Sequence, residues 1–301
     1  MSSAPNDARK VKSDLLGVGA DVSPGTEQQK LVDAHFRSHA ARWKAIYGEA
    51  GVEGAIYRER LMVVLRWLDE LAVPLGERIL EIGCGAGVGV VALAQRGYLV
   101  DAVDSVAAML SSTQEYAASA GVRSSVFTSL GDAHNLAFPG GAFGLALAIG
   151  VMPYLHSPKE ALREMARVLK PGGFLVVTAG NQWRLNHAID PWLCPALQPA
   201  KRVVRAILRH SRRPAAERPI TPPLRLGSLR ELEGWLLSVG LAKVNAKTVG
   251  FLPLTFYRRP VFGEPTSIRM NRWLQWLADH DVPGIRSSGM DYIVLARKKN
   301  G

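Results

Sequence analysis

Five short apolar runs alternate with helical patterns between residues 78 and 180, and this alternation constrains the fold more than any other feature of the sequence. The runs of strand length are RILEIG (78–83), YLVDAVD (98–104), SVFTSLGDA (125–133), FGLALAIG (143–150) and FLVVTAG (174–180). Segments with helical spacing separate most of them. Because parallel strands need a long crossover connection, usually a helix, the pattern predicts an α/β fold with a parallel sheet. Right-handed crossovers then bring the loops that follow the strands to one edge of that sheet.

The remaining sequence divides around this core. Residues 1–27 are polar and predict a flexible tail, and residues 28–75 contain two segments with apolar residues at helical spacing. Residues 76–180 form the core, residues 181–227 interrupt the alternation, and residues 228–301 return to it with two more strands. The sequence thus predicts a seven-stranded, mostly parallel sheet with helices on both faces, preceded by N-terminal helices and interrupted by a cap insertion.

The insertion at 181–227 is basic and rich in proline. It holds nine Lys or Arg residues, two acidic residues and seven prolines, and it predicts one basic helix over residues 200–213. Apolar and basic residues are interspersed in that helix, which is the composition of an interfacial helix on anionic lipid. An ordinary amphipathic helix packed on the rest of the protein has the same pattern. The formal net charge of +11 attracts anions of any kind and does not choose between these alternatives.

Several other classes of protein are disfavoured by composition. Cys84 and Cys194 lie in no CxxC or Cys/His ligand spacing, so the sequence predicts neither a disulfide framework nor a structural zinc site. The N-terminus lacks the apolar core of a signal peptide. The longest apolar run, residues 143–155, is shorter than the ~20 residues that a membrane-spanning helix needs. We therefore expect a cytoplasmic protein.

The stretch EIGCGAG, residues 81–87, follows the first strand and opens the first crossover helix. Its glycines allow a tight turn and a close approach of the backbone to a ligand, and the helix behind them offers free amides. A dinucleotide-binding loop has the spacing GxGxxG. Counted from Gly83 and Gly85, the third glycine position is Val88 here, which disfavours a nicotinamide-dependent oxidoreductase. A helix-capping glycine turn without a ligand is the alternative interpretation.

Acidic residues end the second and third strands. Asp104 follows the glycine loop by about 20 residues, where a carboxylate can accept both hydroxyls of a ribose; its competitor, Asp101, lies inside the strand. Asp132 ends the third strand, where it can accept the exocyclic amine of an adenine while Ala133 supplies a backbone amide. Each aspartate taken alone is better explained as a helix N-cap or a turn residue. Together with Gly85 at the end of the first strand, however, they predict a nucleoside site.

Four motifs in combination resemble the class I S-adenosylmethionine-dependent methyltransferases, in particular the group often called type 11. They are EIGCGAG, the strand-ending Asp104, GDA at 131–133 and ARVLKPGGFLVV at 166–177, and the resemblance covers about a third of the chain. It implies a Rossmann-like fold with S-adenosyl-L-methionine as the cofactor. One departure is Gly144, which follows Phe143 where the family usually has an aspartate that is generally structural.

The resemblance also assigns roles to residues at the strand ends. It implies that the glycine loop holds the methionine part of the cofactor, that the end of the second strand holds the ribose, and that the end of the third holds the adenine. The end of the fourth strand would lie beside the sulfonium. The cofactor-binding residues predicted in this way are Glu81, Gly83, Gly85, Gly87, Asp104, Asp132, Ala133, Ile149 and Gly150.

The segment HFRSHAARWKAIYGEAGVEGAIYRER, residues 35–60, is similar to the leading helices of some quinone and porphyrin-precursor methyltransferases. In such enzymes this segment folds over the cofactor, so the resemblance implies that residues 28–75 cover the site. Tyr47 is then a predicted cofactor contact, and Trp43 and Tyr57 are candidates to line the mouth of the site. Aromatic helix faces packed in the core are an equal alternative.

Methyl transfer from a sulfonium is an in-line displacement, in which the enzyme mainly aligns the nucleophile and excludes water. A general base helps where the acceptor is a hydroxyl. The predicted catalytic residues are His156, six residues beyond Gly150, and Tyr154 beside it. Imidazole is suited to accept a proton near neutrality, although His156 is also explained as an exposed loop histidine. His187 has less support, and no cluster of Asp and Asn predicts a metal site.

We expect methylation of a small-molecule or lipid-like acceptor, O-directed rather than N- or C-directed, in a pocket formed by the cap insertion. Membrane contact through the basic cap would accompany a lipophilic acceptor. The net charge suggests a nucleic-acid methyltransferase as the alternative. Against it, no NPPY-like or catalytic-cysteine motif follows the fourth strand, which continues as GVMPYLH, and no RNA-binding pattern is appended. A non-catalytic binding module that kept the fold is a further alternative.

Overall fold

The computed structural model describes residues 24–201, 203, 222 and 224–300. Its helices are α1 (Pro24–Ser38), α2 (Ala40–Ala45), α3 (Val52–Glu70), α4 (Val88–Ala94), α5 (Ala107–Ser119), α6 (Pro158–Val168), α7 (Leu185–Ile189), α8 (Leu229–Ser238) and α9 (Glu264–Asp279). Its strands are β1 (Arg78–Ile82), β2 (Leu99–Asp104), β3 (Val126–Leu130), β4 (Phe143–Ala148), β5 (Leu169–Asn181), β6 (Leu226–Gly227), β7 (Leu241–Val249), β8 (Thr255–Phe256), β9 (Arg259–Pro260) and β10 (Asp291–Lys298). Short 3-10 turns lie at Ile46–Gly48, Arg123–Ser125, Met152–Tyr154 and Pro195–Leu197.

The central sheet follows the order β3-β2-β1-β4-β5-β10-β7, and the two-residue β6 pairs with the end of β5. Strands β1 to β5 are parallel, whereas β10 is antiparallel to both β5 and β7. The predicted seven-stranded, mostly parallel sheet is therefore confirmed. Because β10 runs against its neighbour β5, its first residue lies at the edge where the parallel strands end.

Alternate residues along each central strand pack against opposite layers of helices. In β1, Ile79 belongs to the core cluster with α3, α4 and α5, and Leu80 to the cluster with α6 and α8. In β4, Leu145 and Ala146 divide in the same way, and all four side chains are fully buried. The side-chain period of two in a strand produces this division. Coverage of both faces explains why residues 143–148 are apolar throughout.

The N-terminal helices differ in their bounds from the prediction. Helix α1 begins at Pro24, so the end of the predicted tail at 1–27 is helical, while residues 1–23 lie outside the described part. Proline suits a first helical turn, since its φ is preset and it lacks an amide hydrogen. The first of the two predicted helical segments is divided after Ser38 into α1, α2 and a 3-10 turn.

The C-terminal part completes the sheet. Helix α9 packs with α3 in a third core cluster around Phe251, Leu252 and Leu254, and β8 and β9 form a separate hairpin. Most of the predicted basic helix at 200–213 lies outside the residues that the structure describes. In the part that it does describe, no helix is long and apolar enough to cross a membrane.

Candidate active site

A cavity of about 300 Å³ lies at the edge of the sheet where β1 to β4 end. Its walls come from the loops after these strands, from the N-terminal helices and from the start of β10. Most of the residues predicted from the sequence line it, namely Tyr47, Glu81, Gly83, Gly85, Asp104, Asp132, Ala133, Ile149, Gly150 and Tyr154, together with the candidates Trp43 and Tyr57. Residues from four successive strand ends thus meet around a single space.

Asp104 ties the glycine loop to the end of β2. Its carboxylate accepts hydrogen bonds from the amides of Gly85 and Val106, each at 2.9 Å. Burial raises the pKa of Asp104, although these amide bonds act in the opposite direction. Each oxygen keeps a second acceptor position, so the carboxylate can also bind hydroxyls. The competitor Asp101 instead pairs with Arg78 at 2.6 Å and does not line the cavity.

The glycines of the loop have two different roles. Gly85 has a φ of +54°, and a Cβ built on it meets nothing within 4 Å, so the backbone there is open to the cavity. Gly87 does not line the cavity. It precedes α4 with a φ of +81°, and a Cβ there would lie 2.8 Å from Cα of Thr113 on α5. Gly87 therefore serves the packing of α4 on α5.

Several buried polar atoms on the cavity walls lack a hydrogen-bond partner. They are Oε2 of Glu81, Nε1 of Trp43 and Nε of Arg60. The one other buried side-chain atom without a partner in the described ranges, Nδ1 of His156, lies off the cavity. Burial raises the pKa of Glu81 to about 8. Because buried polar groups are normally satisfied, three such atoms around one cavity indicate a polar ligand.

The carboxylate of Asp132 is oriented by hydrogen bonds with His134. Its Oδ1 lies 2.9 Å from the amide of His134, which donates to it, and 2.7 Å from Nδ1 of the same residue. Burial alone would raise the pKa of Asp132, but the hydrogen bonds from His134 outweigh it and lower the pKa. The side chain is half exposed. Asp132 therefore presents an oriented, ionised acceptor at the end of β3.

Of the two predicted catalytic residues, Tyr154 lies at the cavity and His156 does not. Tyr154 lines the cavity, and burial raises its pKa. His156 does not line the cavity, and its ring stacks on His134 at a centroid distance of 3.8 Å. Burial lowers the pKa of His156, and the neighbouring His134 lowers it further. His187 is bonded to Gln182 O and to Arg184 and also lies off the cavity. The catalytic role of His156 stays a prediction that this geometry does not favour.

Aromatic side chains of the N-terminal helices line the cavity and pack against one another and against Tyr154. Phe36 on α1 packs edge-to-face on Tyr154 at 4.8 Å and lies 5.4 Å from the ring of Trp43. Helix α1 is anchored where Ser105 Oγ donates to Asp33 Oδ1 at 2.8 Å. This hydrogen bond attaches α1 to the loop that follows β2.

Charged residues that the sequence reasoning missed also line the cavity. Arg60 is buried on α3, and its Nη1 lies 3.5 Å from the position of a Cβ on Gly150. The same nitrogen lies 3.7 Å from Oδ2 of Asp291, and Arg184 also lines the cavity. Arg60 occupies the apolar face of α3 between Ile56 and Val64. A charged residue in such a face is unusual, and this feature of the sequence could have identified Arg60 as a functional residue.

No group of three or more His, Cys, Asp or Glu side chains is arranged to hold a metal ion among the residues with described positions.

Comparison with known proteins relates this site to a family. Residues 80–177 match the family described as "Methyltransferase domain". A ubiquinone biosynthesis O-methyltransferase of Sodalis glossinidius is 28% identical over 190 residues, which are 62% of this chain and 72% of that protein. Methyltransferase GfsG of Streptomyces halstedii is 32% identical over 110 residues, 36% of this chain and 40% of its own length. This chain spans less than two thirds of the length of most of the curated relatives that it matches.

Solved structures share the fold. Magnesium protoporphyrin IX methyltransferase from Synechocystis PCC 6803, with bound S-adenosylhomocysteine, has a TM-score of 0.59 and 15% identity over 90% of this chain and 100% of that chain. A possible histamine N-methyltransferase from Thermotoga maritima has a TM-score of 0.55 and 20% identity, covering 89% and 99%. At these identities the likeness concerns the fold alone.

The fold and the matched domain are those of a class of enzymes, the class I S-adenosylmethionine-dependent methyltransferases. Residues 80–177 of this chain are a methyltransferase domain.

S-adenosylmethionine fits the polar groups of the cavity. Its ammonium matches the unpartnered carboxylate of Glu81, and its ribose hydroxyls match the free acceptor positions of Asp104. When bound, it supplies an activated methyl group on a positively charged sulfur.

Proposed function

We propose that this chain transfers a methyl group from S-adenosylmethionine to a hydroxyl of a small, largely apolar acceptor. One observation carries the proposal: the cavity that Asp104 and Asp132 line is also lined by the large apolar side chains of Phe36, Trp43 and Leu224. Apolar and aromatic walls with a few polar groups are typical of sites for small ligands. Relatives named as O-methyltransferases support transfer to oxygen.

The polar residues of the cavity divide between the parts of the cofactor. We assign the ribose to Asp104 and the adenine to Asp132 and Ala133, as the strand ends predict. Glu81 takes the ammonium of the amino-acid part, and Arg60 takes its carboxylate, because a buried guanidinium beside Gly150 is suited to bind an anion. Burial lowers the pKa of Arg60, but the facing Tyr47 and Asp291 more than offset this, so the pKa is raised and the charge is kept.

The segments of the chain then have separate tasks. Residues 76–180 bind the cofactor, and residues 28–75 cover it through the aromatic side chains of Phe36 and Trp43. Residues 181–227 contribute to the acceptor side, since Arg184 and Leu226 line the cavity. Acceptor choice thus depends on the insertion rather than on the common core.

A lipophilic acceptor would explain the exposed apolar residues of the insertion. Trp183, Leu197 and Val203 are 58%, 44% and 61% exposed on a strongly basic segment. Such a surface fits peripheral contact with the anionic cytoplasmic face of a membrane. We expect flotation with anionic vesicles at low salt, weaker flotation for Trp183→Ala and no change for Trp273→Ala, which removes an exposed tryptophan from α9. Failure to float with anionic vesicles would end the membrane proposal.

The proposed reaction is tested with radiolabelled S-adenosylmethionine and a panel of catechols, hydroquinones and aliphatic alcohols, with and without alkyl tails. We expect label in the O-methyl ether of at least one phenol. Label transferred only to amines or to carbon would contradict O-methylation. S-adenosylhomocysteine binding without turnover on any acceptor would instead support a binding module.

A further inference from the structure

Asp291 is brought to the cavity by the direction of the last strand. It is the first residue of β10, where it pairs with Gly180 at the end of β5. The neighbouring Thr178 accepts a 2.6 Å hydrogen bond from the amide of Gly150, so β4 and β5 hold this region together. Gly150, Gly180 and Asp291 all line the cavity. Asp291 therefore lies at the same edge of the sheet as Gly150, the residue that is expected beside the sulfonium.

The carboxylate of Asp291 is surrounded by charges but not engaged in a hydrogen bond. Its closest cation is Nη1 of Arg60 at 3.7 Å, and no hydrogen-bond donor reaches it among the residues in the structure. Arg184, Tyr57 and Tyr154 are the other titratable groups that face it. The side chain is 23% exposed, and its free oxygen positions open on the cavity.

We propose that Asp291 is the general base that accepts the proton of the acceptor hydroxyl. The proposal rests on the function proposed above. The acceptor oxygen forms the new C–O bond as the S–CH₃ bond breaks, and the sulfur keeps the electron pair of that bond. The hydroxyl proton passes to an oxygen of Asp291 and leaves to water when the products dissociate. Charge is balanced, because a cationic sulfonium and a carboxylate become a neutral thioether and a carboxylic acid.

The electrostatics of the site suit this role. Burial raises the pKa of Asp291, while Arg60 and Arg184 act against the rise. A carboxylate with a raised pKa accepts a proton more readily than one in water. The other groups on the walls suit it less, since burial raises the pKa of Tyr57 and Tyr154 and Glu81 is assigned to the ammonium of the cofactor.

The experiment compares wild type, Asp291→Asn and Asp281→Asn on two acceptors. Asp281 is an 84% exposed carboxyl off the cavity and serves as the matched control. 4-Methylcatechol stays protonated near neutrality, as phenols do, whereas 4-nitrocatechol is largely ionised in mildly alkaline buffer. We expect Asp291→Asn to lower kcat by about 10²- to 10⁴-fold with 4-methylcatechol and by less than ~10-fold with 4-nitrocatechol. Asp281→Asn should match wild type on both.

A binding measurement separates a base from a structural residue. In the S-adenosylhomocysteine complex, calorimetry in buffers of different ionisation enthalpy should show uptake of about one proton when 4-nitrocatecholate binds wild type, because two adjacent anions share a proton. Asp291→Asn should bind it without uptake. If Asp291→Asn does not fold, Asp291→Glu, which keeps the charge, is measured in its place and should retain both the uptake and part of the rate.

The outcomes distinguish the two proposals. Equal losses on both catechols, or no proton uptake by wild type, overturn the role of Asp291 and leave O-methylation intact. A wild type that binds S-adenosylhomocysteine but methylates neither these catechols nor any other phenol or alcohol overturns the proposed function, and the base with it.

Discussion

The amide of Gly85 donates a 2.9 Å hydrogen bond to Oδ2 of Asp104, and this contact makes the glycine loop after β1 and the end of β2 one structural unit. Oδ1 of the same carboxylate accepts from Val106 at the start of α5. The geometry of the loop therefore depends on the acidic residue that is expected to bind the ribose. Loss of the carboxylate should disturb both.

Asp104→Ala should weaken the binding of S-adenosylhomocysteine by about 1–3 kcal/mol, or roughly 5- to 150-fold in Kd, since a charged hydrogen-bond acceptor is lost. Isothermal calorimetry measures the effect. Asp101→Asn is the control from the same strand, because Asp101 pairs with Arg78 and lies off the cavity. Equal affinities for the two variants would argue against the ribose assignment.

Arg60→Gln should weaken S-adenosylhomocysteine by about 10- to 100-fold, the value of a hydrogen bond between charged groups. The same variant should bind 5′-methylthioadenosine as well as wild type does, because that ligand lacks the amino-acid part. Calorimetry with both ligands decides the matter. A similar loss for both would mean that Arg60 supports the fold of the site rather than the carboxylate.

Glu81 should make the stability of the free protein depend on pH. Burial raises its pKa from 4.5 to about 8, so between these values folded Glu81 holds a proton that the unfolded chain has lost. Its stabilising contribution is complete below the lower value and is lost as pH rises through the higher one, by up to about 1.4 kcal/mol per pH unit. Denaturant titrations should show this slope for wild type and a smaller one for Glu81→Gln.

The same carboxyl should lose its proton when a cationic ammonium binds beside it. Near neutral pH we expect wild type to release up to about one proton per S-adenosylhomocysteine, and Glu81→Gln to release none. Calorimetry in buffers with different ionisation enthalpies reports the number. Identical proton release by both proteins would place the ammonium elsewhere.

Gly85→Ala should mainly weaken ligand binding, whereas Gly87→Ala should mainly lower stability. Both residues have positive φ, so both variants should also lose about 1–2 kcal/mol of stability to backbone strain. The added methyl at 87 also meets the backbone of Thr113, so Gly87→Ala should have the lower Tm. The methyl at 85 enters the cavity, so Gly85→Ala should have the lower affinity for S-adenosylhomocysteine. Thermal melts and calorimetry on both variants check this reversal, and the same ranking in both measurements would refute it.

The sequence was sufficient to predict the sheet and the strand-end residues because both depend on local patterns. The apolar run at 143–148 and the helical spacing at 159–168 are short-range features, and right-handed crossovers determine where Asp104 and Asp132 lie. Gly87 is the one predicted cofactor-binding residue that does not line the cavity. It faces Thr113 on α5 instead, and this packing contact could not be predicted from the local sequence.

The remaining residues of the site depend on contacts between distant segments. Asp291 reaches the cavity because β10 is antiparallel to β5, and no local pattern reveals the direction of a strand. The role of Arg60 could not be predicted without knowing which part of the protein the apolar face of α3 covers. The position of His156 depends on the 3-10 turn at Met152–Tyr154, which changes the direction of the chain before the histidine.

We propose that the ends of β1, β2 and β3 bind the nucleoside of S-adenosylmethionine. Calorimetry of the wild-type protein with S-adenosylhomocysteine and with NADH, side by side, tests this proposal. We predict micromolar one-to-one binding of S-adenosylhomocysteine and no heat from NADH. Binding of NADH, or the absence of S-adenosylhomocysteine binding by the folded protein, would show that the strand ends do not form this site.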